Sequence, residues 1–436
     1  MKSETPYSFS REGDTSRQDH HRRMSAGARS RRWLSLLLAT LAMVLTAGHA
    51  GADTVTEWNQ TSIDVLKAGN VLGNPWSRSM AMVHVAIADA VNTIQGRYTR
   101  YAVSLPAAPN ASADAAVAAA ARGILVQVYP GQKAKVEEAY AASLKQIPDG
   151  TAKTEGIAVG EKAATVILAD RANDATSVPD TYRPVTTPGV WVPTAAPLFP
   201  EYARAKGWVI TSADQFRPGP PPALTSALYA RDYNEVKEIG AAKSTKRTPQ
   251  QVEAVRFWAQ TNFLPSWNQA ARELSAAKKL GLADNARLLA LLNMGIANVF
   301  IADWDAKYLY NFWRPVTAIR NGDLDGNDAT ERDAGWTSLN PNPMHPEYPS
   351  AAGIVGGVGA GILESVFGTG PVSFTVSDLM DPRLTRQFTS IAQLAQEQSE
   401  VRIWGGIHFR NSMVVGDEMG RKIAAYLVAN SMKPAR

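Results

Sequence analysis

Hydrophobic positions recur every three to four residues along much of the chain, a spacing that predicts α-helices. The segment 78–96 and the Ala-rich stretches 113–129, 132–146 and 153–172 follow it. Alanine is the strongest helix former, and these stretches show no alternation of β-branched residues. Further helices are predicted at 224–240, 249–262, 267–281, 284–313, 350–367, 384–403 and 412–431. With no convincing strand pattern, we predict an all-α fold.

Segment 176–223 interrupts the helical pattern because it is rich in Pro and Gly. It predicts a long loop that wraps over the helices, and such loops often cover functional sites. A second loop is predicted at 320–348. We expect one domain over 53–436, in which 53–223 supplies the first helices and the wrapping loop. The remainder, 224–436, forms a second helical bundle.

The N-terminal residues 1–52 differ from the rest of the chain. A polar, Arg-rich stretch precedes a short apolar run, which ends in the sequence Ala-Gly-Ala at 50–52. This order is typical of an export signal, and the run is shorter than the roughly 20 apolar residues of a membrane span. The sequence SRRWL at 30–34 partly matches a twin-arginine signal. We predict a periplasmic or secreted protein without a stable span after signal removal; an N-terminal membrane anchor is the alternative.

The charge balance gives no reason to expect a nucleic-acid partner. The chain has 45 basic and 40 acidic residues, and the segment 1–52 holds 8 and 4 of them, leaving 45 − 8 = 37 and 40 − 4 = 36. The excess of positive charge therefore belongs mostly to the predicted signal. The chain contains no cysteine, which excludes thiol catalysis and cysteine metal sites.

Two cations stand in an aromatic segment, KYLYNFWRP. Lys307 and Arg314 are seven residues apart, about two helical turns, so we expect both on one helix face. Pro315 disfavours helix at the residue before it, which predicts that the helix ends at Arg314. A cation among aromatic residues is poorly hydrated and favours an anion. The alternative is the polar face of an ordinary surface helix.

A second segment contains Ser350 directly before a run of small residues, AAGIVGGVGAGI. Serine is a preferred N-cap, and the free amides at a helix N-terminus attract anions. The run does not fit the nucleotide-binding glycine patterns. We expect close helix packing at its glycines, which are Gly356, Gly357, Gly359 and Gly361. Plain helix capping is the alternative function of the serine.

In a third segment, Arg402 and His408 are six residues apart with Gly405 and Gly406 between them. In one continuous helix this spacing would place them on different faces. The two glycines are expected to end the helix and let both side chains turn to one point. A purely structural histidine is the alternative.

Together the three segments resemble the signature of the vanadium-dependent haloperoxidases and of the type 2 phosphatidic acid phosphatase superfamily that contains them. That signature is Lys-x6-Arg-Pro, then Pro-Ser-Gly-His, then Arg-x5-His. Segments such as LNMGIANVFIADWDAKY resemble the bacterial soluble branch, so the likeness covers nearly the whole mature chain. This chain has Lys307-x6-Arg314-Pro315, Pro349-Ser350-Ala351-Ala352 and Arg402-x5-His408.

The resemblance implies a helical-bundle fold with a vanadate site, which phosphate can also occupy. His408 would bind vanadium axially in a haloperoxidase, or attack phosphorus in a phosphatase. The residues that would hold the oxyanion by charge and hydrogen bonds are Lys307, Arg314, Ser350, the Ala351 amide and Arg402.

One position departs from the signature. The second family histidine, which handles the proton, is replaced by Ala352, and acid–base catalysis typically contributes about 10²–10⁴-fold. We hypothesise that His345 takes part of this role. Its position holds Phe in chloroperoxidases and His in bromoperoxidases, whereas Trp304 matches a position that lines the halide side in chloroperoxidases. The halide preference therefore stays open.

The resemblance implies three possible functions. The first is a vanadate-dependent haloperoxidase that oxidises halide with hydrogen peroxide. The second is an acid phosphatase that uses His408 as nucleophile on a phosphate ester. The third is a degenerate relative that binds the oxyanion with little turnover because of Ala352. The sequence does not indicate an oligomeric state.

Overall fold

The computed structural model describes residues 53–102, 106, 108–174, 181–260 and 263–435. The predicted export signal lies outside the described residues. The first helices are α1 (Thr54–Ala68), α2 (Gly73–Gln95), α3 (Ala113–Val128), α4 (Lys133–Lys145) and α5 (Thr151–Asp170). The later helices are α6 (Ala227–Ile239), α7 (Pro249–Gln260), α8 (Phe263–Lys278), α9 (Leu282–Tyr310), α10 (Pro315–Arg320), α11 (Ala351–Phe367), α12 (Ile391–Trp404) and α13 (Arg410–Asn430). The predicted all-α class is confirmed.

A small hairpin is the exception to the helical pattern. Strands β1 (Phe374–Ser377) and β2 (Thr385–Phe388) pair antiparallel, so the helix predicted over 384–403 is wrong in its first residues. The two phenylalanines at opposite positions, Phe374 and Phe388, stack with centroids 5.6 Å apart and are buried. This aromatic pair fixes the strands, and helix α12 begins only after its cap, Ser390.

Helix α1 has no counterpart among the predicted helices. Its cap is Asp53, whose side chain accepts from the Thr56 amide at 3.0 Å, while the Thr56 hydroxyl accepts from the Asp53 amide at 3.0 Å. This reciprocal capping box satisfies two amides at the helix start. It follows directly on the predicted signal, and α1 packs on α3.

Helix α9 forms the centre of the molecule and positions the first site segment. It packs on α2 and on α11. Among the described helices it is long and apolar enough to cross a membrane, but 94% of its most apolar window is buried in the protein. A helix that is apolar on all sides and covered by others is a core helix. It ends where Asn311 adopts the left-handed conformation with φ 46°.

Close packing of α11 brings the other two site segments together. A Cβ at Gly357 would lie 2.2 Å from a backbone oxygen of α13, and one at Gly359 would lie 2.2 Å from the Trp267 ring. Gly361 also faces α13 closely, at 2.7 Å, whereas Gly356 has only ordinary contacts. The predicted close packing is therefore confirmed at three of the four glycines.

The long irregular segment 181–226 contains one short 3-10 turn, Tyr202–Arg204. It wraps the end of α9, as predicted. The Trp313 amide donates to the Gly189 oxygen at 3.0 Å, and the Leu198 amide donates to the Met344 oxygen at 2.8 Å. These backbone bonds join the wrapping segment to two of the three site segments.

Candidate oxyanion site

Lys307 lies near the end of α9 and is completely buried. Its ammonium donates to the carbonyl oxygens of Pro346 at 2.9 Å, Glu347 at 3.0 Å and Pro349. All three N–H donors therefore have a partner in the segment before Ser350. Burial lowers the pKa of Lys307 to about 8, and the neighbouring Asp303 carboxyl opposes this shift. The lysine holds the second segment in place and adds a cation to the site.

Arg314 reaches the same place by a different route from the one predicted. Helix α9 ends at Tyr310, and Arg314 lies beyond it with φ −83° and ψ 157°, as the N-cap of α10. The prediction that both cations share one helix face is therefore wrong. The left-handed Asn311 ends the helix early, and Pro315 holds the preceding residue in an extended conformation. Arg314 and Lys307 still converge, since both donate to the Pro346 oxygen.

Five contacts surround the Arg314 guanidinium. Its Nε donates to the His345 oxygen at 3.1 Å, and its Nη1 donates to the Ile407 oxygen at 2.7 Å. Nη1 also lies 3.3 Å from His408 Nε2, and Nη2 lies 3.2 Å from His345 Nδ1. With the Pro346 contact, these match the five N–H donors of an arginine. Burial lowers the pKa of Arg314 to about 10, so it remains charged at neutral pH.

Ser350 is the N-cap of α11, as predicted, but its side chain does not cap the helix. Its hydroxyl oxygen is buried and has no hydrogen-bond partner among the described residues. The next residue, Ala351, begins the helix, where the first amides have no partner within the helix. A buried hydroxyl without a partner costs about 1–3 kcal/mol. Its presence beside a helix N-terminus indicates a site for a polar ligand.

The turn that joins α12 to α13 brings Arg402 and His408 together, as predicted. Helix α12 ends at Trp404, and Gly406 has φ 77°. Its Cα packs against Gly240, so that a Cβ would lie 2.4 Å from the Gly240 oxygen. Glycine adopts this left-handed conformation without steric cost.

Arg402 differs from the other two cations. Its Nε is buried without a hydrogen-bond partner in the described part of the chain. The guanidinium lies over the Phe263 ring, 5.0 Å from the centroid. Its charge contributes to lowering the pKa of both Arg314 and His408, which places it beside them. Arg402 thus has donor capacity that Lys307 and Arg314 lack.

Glu347 is a site residue that the sequence analysis missed. It is completely buried, and its Oε1 lies 2.7 Å from His408 Nδ1. Burial raises the pKa of Glu347 to about 7, against the lowering effect of Arg314 and Lys307. Burial and the nearby cations hold the pKa of His408 well below its usual value. A carboxylate inside the HPEYPS segment was the signal that could have identified it.

Asp303 is a second carboxyl that the sequence analysis missed. It lies one helical turn before Lys307, with Oδ1 3.8 Å from the lysine Nζ, and both groups are fully buried. Neither carboxyl oxygen accepts a hydrogen bond from a described residue. Burial raises the pKa of Asp303 to about 7, while Lys307 and Arg314 oppose the shift. The sequence signal that could have identified Asp303 was its position four residues before Lys307, a spacing at which side chains on a helix can pair.

His345 lies in the site, where its ring is 5.0 Å from the Trp304 ring. A guanidinium can only donate, so the Arg314 contact assigns a lone pair to His345 Nδ1 and a proton to Nε2. With that assignment, the 3.2 Å approach of Nδ1 to the Pro346 oxygen is not a hydrogen bond. Burial and the charges of Lys307 and Arg314 hold the pKa of His345 well below its usual value. In the free protein it is therefore a neutral hydrogen-bond donor.

Ala352 occupies an apolar environment. It is buried and packs with Ile403 and Met413. Phe263 and Ile239 pack against the same cluster. The position of the missing histidine is therefore filled by aliphatic and aromatic side chains.

Known proteins similar to this chain include vanadium haloperoxidases. Residues 287–435 match the family model of the VCPO second helical-bundle domain. The chain is 25% identical to vanadium chloroperoxidase from Curvularia inaequalis, over 69% of this chain and 63% of that protein. The chain is therefore similar in sequence to vanadium haloperoxidases. It spans about 63% of the length of the curated relative.

Solved structures of bacterial vanadium haloperoxidases share the fold of this chain. The first bacterial vanadium-dependent iodoperoxidase superposes with a TM-score of 0.74 at 23% identity, over 88% of this chain and 97% of that one. A holo-type bacterial vanadium-dependent chloroperoxidase gives a TM-score of 0.66 at 18% identity, over 82% and 92%. At these identities the superpositions establish the architecture of the chain.

The donors around His408 fit a tetrahedral oxyanion. The Ser350 hydroxyl and the Arg402 Nε are buried and have no hydrogen-bond partner among the described residues. Lys307 and Arg314 add positive charge, and guanidinium groups suit the geometry of such anions. The amide end of α11 adds donors at the positive end of its dipole.

Proposed function

We propose that this chain binds vanadate and uses hydrogen peroxide to oxidise a halide. The observation that most directly supports this proposal is the arrangement around His408. The lone pair of its Nε2 faces Arg314, while Glu347 accepts the proton of the opposite ring nitrogen. Such a neutral imidazole can bind a metal centre. The phosphate ion is expected to occupy the same site.

Bound vanadate would supply a Lewis-acidic centre that keeps its oxidation state and activates peroxide. The net reaction joins halide, hydrogen peroxide and one proton to give a hypohalous acid and water. The halide loses two electrons and peroxide gains them. The chain's own residues hold the oxyanion through Arg402, Ser350 and the Ala351 amide, while Lys307 and Arg314 supply charge.

The proton required by this reaction needs a donor, and Ala352 provides none. We propose that His345 takes part, since its Nε2–H is available beside Trp304. A dianion bound in the site would raise the pKa of His345, which favours a second proton on its ring. We expect His345→Ala to lower turnover by about 10- to 100-fold with little change in vanadate affinity. Unchanged turnover in the folded variant would remove His345 from the mechanism.

An acid phosphatase is the second candidate. The same Nε2 lone pair of His408 can attack phosphorus, and the cations can stabilise the charge that develops during phosphoryl transfer. The third candidate, an oxyanion-binding relative with little turnover, is favoured by the apolar packing around Ala352.

One experiment separates these candidates. The mature protein, loaded with orthovanadate, is assayed for halide oxidation and, without vanadate, for phosphate-ester hydrolysis. We expect halide oxidation that His408→Ala abolishes. Hydrolysis alone would support the phosphatase, and vanadate binding without either activity would support the degenerate relative. Absence of binding to both oxyanions would contradict all three.

Restoring the missing histidine tests the same question from the other side. Ala352→His should raise halide oxidation by about 10²-fold, because it returns an acid–base group to the site. It should also destabilise the protein by about 1–3 kcal/mol, because the cluster of Ile403, Met413 and Phe263 must move. Ala352→Leu is the control, because we expect it to destabilise the protein equally without raising halide oxidation. A histidine variant no more active than wild type would show that the substitution does not limit turnover.

We also propose export to the periplasm or the medium, supported by the composition of residues 1–52. Replacing Arg31 and Arg32 by lysine should retain the protein in the cytoplasm if the twin-arginine route is used. Cell fractionation measures this, and unchanged export of the variant would indicate another route.

A further inference from the structure

Glu347 connects all three site segments. Its amide donates to the Phe312 oxygen at 2.9 Å, and its own carbonyl oxygen accepts from Lys307 Nζ at 3.0 Å. Its side-chain Oε1 accepts from the Phe409 amide at 3.0 Å and lies 2.7 Å from His408 Nδ1. One residue of the second segment thus fixes both the first and the third.

The contacts of His408 agree on one tautomer. A carboxylate accepts, so Nδ1 carries the proton on the Glu347 side. Arg314 Nη1 can only donate, so Nε2, at 3.3 Å, carries the lone pair. Because the same Oε1 also binds the Phe409 amide, the ring and the backbone next to it are held from one point. The orientation of the Nε2 lone pair therefore depends on Glu347.

We propose that Glu347 is the positioning residue of His408: its carboxylate fixes the ring and its tautomer and strengthens Nε2 as a ligand or nucleophile. The proposal rests on the proposed function of His408. A carboxylate behind a metal-binding histidine typically changes metal affinity or activity by about 10- to 100-fold. No proton is transferred to Glu347 in this role; the carboxylate stabilises positive charge on the ring.

Asp303 offers a matched control. It is buried like Glu347 and lies in the same cluster, 3.8 Å from Lys307. No described contact joins it to His408. Asp303→Asn and Glu347→Gln therefore remove the same negative charge from the site, but only the second changes the partner of His408. If only the loss of negative charge mattered, both variants would bind oxyanions more tightly than wild type.

The test compares orthovanadate with inorganic phosphate on each variant, by calorimetry at one pH. Vanadate would be held by a bond from Nε2, whereas phosphate in the ground state would need only charge and hydrogen bonds. For Glu347→Gln we expect the ratio of vanadate to phosphate affinity to fall by about 10- to 100-fold. For Asp303→Asn we expect an unchanged ratio. Glu347→Asp, which keeps the carboxylate, should recover part of the loss. Equal ratios in all variants would overturn the proposal.

A second measurement needs neither vanadate nor activity. In protein labelled with ¹⁵N-histidine, we expect a far-downfield proton resonance from His408 Nδ1–H in wild type and in Asp303→Asn. It should move upfield or vanish in Glu347→Gln and in Glu347→Met. A wild-type protein that shows this resonance but binds no vanadate would contradict the haloperoxidase proposal and leave the Glu347 contact established. Persistence of the resonance in Glu347→Met would overturn the positioning role. If Glu347→Gln fails to fold, Glu347→Asp carries both measurements, with intermediate shifts expected.

Discussion

At the scale of single residues, the three cations of the site divide into two kinds. Lys307 has three N–H donors and three carbonyl partners, and the five donors of Arg314 also have five partners. Arg402 has a buried Nε without a partner in the described part of the chain. Two cations therefore organise the loop and supply charge, while the third can bond a ligand directly.

Arg402→Met tests this division. An unpaired buried donor destabilises a protein, and methionine packs well against an aromatic ring such as Phe263. We expect the melting temperature in the absence of oxyanion to hold or rise. The affinity for phosphate and vanadate should fall by about 10- to 100-fold, because a charge-assisted hydrogen bond is worth about 1.5–3 kcal/mol. Calorimetry measures both quantities.

The matched control is Arg410→Met. That guanidinium is bonded to Glu235 of α6 and to Glu400 of α12, so its loss should lower the melting temperature and leave oxyanion affinity nearly unchanged. A destabilised Arg402→Met variant that binds oxyanion like wild type would assign Arg402 a structural role instead.

At the scale of elements, the turn between α12 and α13 sets the geometry of the third segment. The helical pattern of residues 391–404 predicts where Arg402 points, but the direction of His408 depends on Gly406. Its φ of 77° reverses the chain, and its contact with Gly240 fixes the turn against the start of the bundle. The glycine pair predicted this break correctly, because glycine's conformational freedom is a local property.

Gly406→Ala should therefore disturb both stability and binding. A non-glycine residue in the left-handed region costs roughly 1–2 kcal/mol, and the added Cβ would lie 2.4 Å from the Gly240 oxygen. We expect a lower melting temperature and weaker phosphate binding, since His408 follows the turn. Gly370→Ala is the control, because a Cβ there would have no neighbour within 4 Å. A normal affinity for phosphate in a destabilised Gly406→Ala variant would show that the turn does not position the site.

Other elements show the limit of local patterns. The heptad-like spacing of Lys307 and Arg314 predicted one continuous helix, yet the chain leaves the helix at Asn311. The segment 181–226 pairs with the residues that follow the end of α9, as Val190 does with Phe312. Backbone partners supplied by a distant segment decide where this helix ends, and periodicity does not contain them.

At the scale of the whole molecule, the fold encloses several ionisable groups in one buried cluster. Asp303 and Glu347 face Lys307 and Arg314 inside this cluster, and all four are buried. Burial opposes the charged form of each group, which raises the pKa of the acids and lowers the pKa of the bases. The site should therefore respond to pH near neutrality.

Asp303→Asn isolates one part of this response. The pKa of Asp303 is raised from 3.8 to about 7. Between these values the folded protein holds a proton that the unfolded chain has released, so this contribution to stability is present at low pH and is lost as pH rises to about 7. Asparagine does not ionise. The melting temperature of Asp303→Asn relative to wild type should therefore increase from about pH 5 to about pH 8.

Asp381→Asn is the control for this series. That carboxylate is paired with Arg383 near the surface, which lowers its pKa, so the difference from wild type should stay flat over the same range. If the difference in melting temperature between Asp303→Asn and wild type were also independent of pH, Lys307 would keep Asp303 ionised in the folded protein.

The sequence by itself determined the helical class, the approximate helices and the segments that carry Lys307, Ser350 and His408, because periodicity, capping and glycine breaks act over a few residues. Only the tertiary structure decided which donors remain free, how Arg314 enters the site, and that aliphatic side chains enclose Ala352. It alone joined Glu347 to His408, which are 61 residues apart. Burial and hydrogen-bond partners come from distant segments, so these properties exist only once the chain has folded.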